Sequence, residues 1–280
     1  LRLLDRTGRV IRRLNLDARP VPGGFALMPG AAAGGTRLVA GLENGRIWAV
    51  PPLGGDAWEH VLTDNEPPRL TTGRAVYAVT GNRLVCLDSS GELVWKQAFE
   101  PSAKAVRAMA ELNETHVAVA HDAGVNLYAA DTGAPAGHIE TTGVGEITHV
   151  GAAPVPPADA VAATVAGTEG VGCFTAGGRR LWRAATGHTF RFQWTVANNT
   201  PHLLAACETG IVLLGPDGTS RWRDTAESGA APVTPVSADF DVRGGAAVWA
   251  TAGGQIRCVR EVSRRARARG AAPSPAPPSS

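Results

Sequence analysis

The sequence predicts an all-β fold, a β-propeller of four-stranded antiparallel blades, on three observations. A glycine, three residues and then a tryptophan recur as Gly54 to Trp58, Gly91 to Trp95, Gly178 to Trp182 and Gly218 to Trp222. Fainter copies at Gly8 and Gly133 complete a series with steps of 37 to 46 residues, the period of stacked or radially arranged units. The 34 glycines and 20 prolines among 280 residues suit many short strands joined by turns and would interrupt long helices.

The clearest unit shows why each piece is a strand. Asn82-Arg-Leu-Val-Cys-Leu-Asp88 and Glu92-Leu-Val-Trp-Lys-Gln-Ala-Phe99 are apolar runs flanking Ser-Ser-Gly91. Asp and Gly accept turn geometry, so this is a β-hairpin. Ala105 to Ala110 and Thr115 to Ala120 follow as two more runs, ending at Asp122-Ala-Gly124. That makes four strands.

The same grammar returns along the chain. One run ends in small residues before a glycine, in Leu38 to Gly45, Val161 to Gly167 and Leu203 to Gly210. The next starts at once, in Arg46 to Val50, Val125 to Tyr128, Ile211 to Leu214 and Gln255 to Val259. Four-stranded antiparallel units at this period are propeller blades, whereas the rungs of a β-solenoid are shorter. The recurring Trp then has a structural role, locking one blade onto the next through a large apolar ring.

The chain enters this pattern part-way. Leu1 to Leu4 and Val10 to Leu16 read as the outer two strands of a first blade, followed by six further sets and hence seven blades with the first incomplete. Opening without Met in mid-repeat reads as a start downstream of the native one, which leaves the compartment open. The propeller is assigned to residues 1–262, and 263–280, basic and then rich in Pro and Ser, to a disordered tail.

Charge narrows the function classes. The formal net charge is +2, but Arg264, Arg265, Arg267 and Arg269 lie in the tail, leaving −2 for the rest. A near-neutral body is unlike a nucleic-acid binder, and no apolar run reaches the length of a transmembrane helix. Cys86, Cys173 and Cys258 occupy equivalent places, with Ala49 and Leu213 at the same place in other units. A site taken by Ala, Leu and Cys is a small packing site, so neither a disulfide framework nor a metal site is expected. The seven histidines are scattered over different units, and His116 and His121 read as surface residues at a strand end.

Leu84-Val-Cys-Leu-Asp-Ser-Ser-Gly-Glu-Leu-Val-Trp95 and Val171-Gly-Cys-Phe-Thr-Ala-Gly-Gly-Arg-Arg-Leu-Trp182 resemble the PQQ-like β-propeller repeat, an apolar strand, Asp, a Gly turn and Trp. The likeness covers most of residues 1–262, with Arg12 and Gly137 where Trp would stand. The Gly-His and Trp-Asp signatures of WD40 repeats do not recur. The resemblance implies a quinoprotein-like propeller, a superfamily holding both quinone-dependent dehydrogenases and non-catalytic scaffolds such as outer-membrane assembly lipoproteins. Those enzymes often carry an adjacent Cys pair and hold calcium with clustered carboxylate and amide ligands. This chain has no Cys-Cys and no matching acidic cluster, so the resemblance points to the non-catalytic branch, without enzyme activity or cofactor. The alternative is a quinoprotein-type oxidoreductase subunit binding PQQ.

One constellation suggests where a ligand sits. Arg69, Arg107, His149, Arg191 and Thr234 lie 13 to 16 residues after their unit glycines, at the starts of the innermost strands. Aligned on a channel mouth, Arg69, Arg107, His149 and Arg191 form a positive ring suited to an acidic peptide, carboxylate or phosphate. The competing reading pairs these charges with Glu66, Glu111 and Glu146. The function predicted is an interaction scaffold whose loops and channel mouth bind another protein or an acidic ligand.

Overall fold

A computed structural model describes residues 2–4, 7, 9–29, 36–51, 56–62, 66–100, 105–154, 161–197, 200–225, 232–241, 244–251 and 256–260. The expected tail at 263–280 and the glycines Gly8 and Gly54 lie outside these residues. The chain divides into two compact units, Leu1–Ala185 and Thr186–Ser280.

In the first unit, β1 (Arg2–Leu4) and β2 (Val10–Arg13) pair as a two-stranded sheet. The second sheet is β3 (Pro20–Pro29), β4 (Thr36–Leu42), β5 (Arg46–Val50) and β6 (Trp58–Val61). The third is β7 (Arg69–Thr72), β8 (Val76–Thr80), β9 (Arg83–Leu87) and β10 (Leu93–Ala98). The fourth is β11 (Ala108–Leu112), β12 (His116–His121), β13 (Gly124–Ala129) and β14 (Pro135–Ile139), and the fifth β15 (Ile147–Ala152), β16 (Ala162–Gly167), β17 (Gly170–Thr175) and β18 (Arg180–Ala184). The second unit holds β19 (Thr189–Ala197), β20 (Thr200–Cys207), β21 (Gly210–Leu214) and β22 (Ser220–Thr225), then a three-stranded sheet of β23 (Pro232–Asp241), β24 (Gly244–Thr251) and β25 (Ile256–Arg260).

Every sheet is an antiparallel meander in chain order. The first strands β3, β7, β11 and β15 adjoin one another in succession, as β19 and β23 do in the second unit. That is how propeller blades meet along their inner strands. Among the described residues no helix is long and apolar enough to cross a membrane.

The burial pattern follows from each inner sheet having a neighbour on both faces. The middle strands β8 and β16 are buried at every position, and β9 at all but Arg83. They therefore read as unbroken apolar runs and do not alternate. Strand parity sorts these residues between two interfaces. Tyr77, Val79, Leu84 and Cys86 of the third sheet pack with Val117, Val119 and Tyr128 of the fourth. Val76, Ala78, Val85 and Leu87 face back onto Met28, Val39, Ile47 and Ala49 of the second. On the far side of the fourth sheet, Ala118, Ala120 and Leu127 pack with Val150, Val165 and Phe174 of the fifth.

The tryptophans occupy one register position. Trp58 lies opposite Ala49, Trp95 opposite Cys86, Trp182 opposite Cys173 and Trp222 opposite Leu213. Trp58 Nε1 donates to the carbonyl of Ser89 at 2.9 Å and Trp95 Nε1 to that of Ala130 at 2.9 Å, each in the third-to-fourth-strand turn of the following sheet. Each ring covers the turn glycine so closely that a Cβ on Gly91 would lie 2.5 Å from Trp58, and one on Gly133 2.5 Å from Trp95. Those glycines have φ of +86° and +71°, which only glycine adopts freely. The spacing of Gly and Trp is thus a two-sheet device, with the indole of one blade seated on the glycine of the next.

The two departures from the motif are informative. Arg12 keeps the donor function, its Nη1 reaching the Pro51 carbonyl at 2.6 Å. Gly137, opposite Leu127, keeps neither ring nor donor, and its main chain abuts the Ala176 carbonyl, 3.2 Å from where a Cβ would stand. The polar half of each turn is set locally. Asp88 Oδ1 accepts from the Ser90 and Glu92 amides and from the Ser90 hydroxyl, and Asp217 Oδ1 accepts from the Thr219 amide and hydroxyl. Both carboxyls are held below their ordinary value, chiefly by the hydroxyl hydrogen bond.

Candidate functional site

The predicted ligand residues fall on one end of successive first strands. Arg69 opens β7 opposite Val79, and Arg107 sits one residue before β11, its amide donating to Ala120 O at 2.8 Å. His149 on β15 lies opposite Ala166, Arg191 on β19 opposite Ala206, and Thr234 on β23 opposite Ala250. A bulge precedes each of the last three, between Ile147 and His149, Thr189 and Arg191, and Pro232 and Thr234. Such bulges re-aim a side chain at a sheet edge.

Within the first unit β7, β11 and β15 adjoin, with Arg69 and His149 on the first and last of them and Arg107 just ahead of the middle one. Arg69 is exposed, His149 half-buried and already engaged within the protein. Arg191, in the second unit, is exposed.

Arg107 is not a bare cation. Its Nε meets Asp122 Oδ1 at 2.7 Å and its Nη2 meets Glu146 Oε1 at 3.0 Å. The Asp122 hydrogen bond, followed by the charges of Asp122 and Glu146, pushes the guanidinium further above its ordinary value. These three groups sum to −1, so this stretch presents no net positive field of its own. Of the acidic residues expected to pair with the ring, Glu146 takes Arg107, whereas Glu111 goes to a different cation.

That cation is Arg74, in the turn between β7 and β8. Its amide donates to Glu111 Oε2 at 2.9 Å, and its Nε lies 3.6 Å from Oε1. The Arg74 guanidinium also donates to the Glu114 carbonyl. The Glu111 side chain is only 7% exposed, and Gly73 leaves it room, since a Cβ there would lie 1.6 Å from Oε2. Burial pushes the Glu111 carboxyl up, and Arg74 only partly opposes this. The buried Cys86 thiol is pushed up to about 12 by burial first and then by Glu111, and Tyr77 rises for the same two reasons. The sequence carried no sign of this clasp, because its partners are 37 residues apart.

A carboxyl whose folded value is raised contributes stability that is fully present below its unfolded value and is lost as pH rises through the folded one. Ionised Glu111 is therefore a net cost at neutral pH. Glu111→Gln, which retains an acceptor for the Arg74 amide, is expected to melt higher than the parent at pH 7. The advantage should vanish below about pH 4, where Glu is protonated in both states. Thermal midpoints at the two pH values check this.

One expectation is corrected by burial. His121 is 5% exposed and lies inside the fourth sheet, because β12 extends one residue beyond the expected Ala120 and pairs His121 with Gly124.

The quinone-cofactor alternative can be tested against the residues present. Among the described residues no three His, Cys, Asp or Glu side chains come together to hold a metal ion. Cys86, Cys173 and Cys207 are free, buried and carried by three different sheets.

With this geometry in place, comparison with known proteins defines the relationship. A PQQ-like repeat family described as outer membrane protein assembly factor BamB matches residues 43–192. The crystal structure of BamB from Moraxella catarrhalis is similar with a TM-score of 0.58 and 18% identity, covering 91% of this chain and 80% of that one. The structure of BBS1N in complex with ARL6DN is similar with a TM-score of 0.62 and 15% identity, covering 90% and 86%. Both are β-propellers, the fold of this chain. No curated protein matches the chain in sequence.

Proposed function

We propose that this chain, which belongs to the PQQ-like β-propeller family described as outer membrane protein assembly factor BamB, is a non-catalytic interaction scaffold. Its loops and first-strand ends bind another protein or an acidic ligand. The observation that supports this reading is a repeated, close-packed interior in which, among the described residues, no three His, Cys, Asp or Glu side chains come together. Rigid blades hold variable loops in place, which is how repeat folds build binding surfaces. BBS1N, a structure of similar fold, was solved with a protein partner, which supports the same use of the fold here.

Arg69, Arg107, His149 and Arg191 are the ligand residues of this proposal, and they do not weigh equally. Arg107 already serves Asp122 and Glu146, so the exposed Arg69 and Arg191 carry most of any anion affinity. Titration of a labelled oligoglutamate by fluorescence anisotropy tests this. Arg69→Ala with Arg191→Ala should weaken binding at least about fivefold, as loss of charged contacts of about 1 kcal/mol implies. Arg107→Ala should change it less. Unchanged affinity in the double variant would move the acidic ligand away from these strands, and quinone absorbance after reconstitution with PQQ and calcium would overturn the non-catalytic reading.

A further inference from the structure

We propose that His121 and His138 form a two-histidine site for a divalent transition-metal ion at the edge of the fourth sheet. His121 lies on β12 and His138 on β14, with β13 between them. Two ladder spacings would ordinarily keep such side chains apart, at about 10 Å between strands. Here the intervening residue opposite His121 is Gly124. The His138 ring fills the place of its missing side chain, with Cε1 and Nε2 2.9 and 3.0 Å from where a Cβ would stand. The two ring centroids are consequently 6.1 Å apart.

The hydrogen bonds decide which nitrogens are available. Asn126 Nδ2 donates to the Glu100 carbonyl at 3.5 Å, which turns its Oδ1 toward His138 Nδ1 at 2.8 Å. His138 therefore carries its proton on Nδ1 and offers a lone pair at Nε2, the second-shell arrangement of a metal-bound imidazole. His121 is buried, and its Nε2 has no hydrogen-bond partner. With Nδ1 accepting from the Ala123 amide, Nε2 carries the ring proton as a donor without a partner, and it becomes a metal ligand once the ring exchanges tautomer.

The ring spacing leaves room for one ion. With each nitrogen about 1.1 Å from its ring centre, centroids 6.1 Å apart leave at least about 3.9 Å between facing nitrogens, and two metal–nitrogen bonds of about 2.0–2.1 Å span up to about 4.2 Å. A direct N–H···N bond cannot cross that distance. His138 is exposed, so its Nε2 can be reached from solvent. One cost is built in. The Ala123 amide donates to His121 Nδ1 at 3.2 Å, and this bond is given up when Nδ1 takes the proton that metal binding at Nε2 requires. With two protein ligands and water in the remaining positions, the site is of the micromolar class rather than a structural zinc centre. Imidazole donors select Cu²⁺, Ni²⁺ and Zn²⁺ over Mg²⁺ and Ca²⁺.

The test is calorimetric titration of the full chain with Ni²⁺ and Zn²⁺, with Mg²⁺ as control. One ion per chain should bind in the parent. His138→Ala, an exposed position that leaves the fold intact, should weaken binding at least about tenfold, and so should His121→Gln, whose melting is measured alongside. His116→Ala, on the same strand but outside the pair, should leave binding unchanged. Parent-like affinity in His138→Ala, or no Ni²⁺ binding by the parent below millimolar concentration, overturns the site.

Discussion

Trp95→Ala is expected to lower the unfolding free energy by about 3–5 kcal/mol, the cost of emptying a large aromatic site in a packed interior. Trp95 is 9% exposed and stacks beside Tyr77 with ring centroids 6.1 Å apart. It belongs to the cluster joining the third and fourth sheets. Its removal also leaves the Ala130 carbonyl without its 2.9 Å donor. Trp95→Phe separates the two contributions. The ring persists while the N–H is lost, at about 1–3 kcal/mol. Urea unfolding of the three proteins measures both, and the same midpoint for Trp95→Ala and the parent would show that the indole does not hold the sheets together.

Gly133→Ala is the second large effect, and it is conditional on the first. A methyl group at this position meets the Trp95 ring at 2.5 Å on a backbone with φ of +71°. Overpacking costs about 1–3 kcal/mol and the left-handed backbone about 1–2 more. Once Trp95 is Ala, the collision disappears and only the backbone cost remains. The double variant should therefore be more stable than the sum of the single losses implies, by about 1–3 kcal/mol. Strict additivity across the four proteins would mean that glycine and indole act independently.

The repeat unit was legible because its signals are local. The glycine, the Asp or Thr beside it and the Trp four residues on belong to one turn and one strand. The equivalence of Ala49, Cys86, Cys173 and Leu213 emerged as a register, each paired with a Trp. β3 was less legible. Its Pro20, Pro22, Gly23 and Gly24 are poor strand formers, and the pairing jumps from Pro20 to Phe25. The candidate ring was legible only as spacing. Counting from the glycines located Arg69, His149 and Arg191 on first strands and Arg107 one residue before one, and it named Glu146 among their partners, but it did not give Arg107 its second carboxylate, Asp122, 15 residues on. The histidine pair had no signal at all. His121 and His138 meet only because a glycine lies between them on a strand that neither occupies.

The joint between the fourth and fifth sheets turns on Gly137, where backbone meets the Ala176 carbonyl without an intervening ring. At this one point main chain offers no side chain to delete, so alanine scanning reads the seam through Leu127, Val150, Val165 and Phe174 and passes over Gly137 itself. A Cβ at 137 would press on the Ala176 carbonyl from a backbone with φ of +158°, so added bulk there strains this contact. Substitutions that add bulk at 137, set beside truncations of Leu127 and Phe174, map how firmly these two blades are seated.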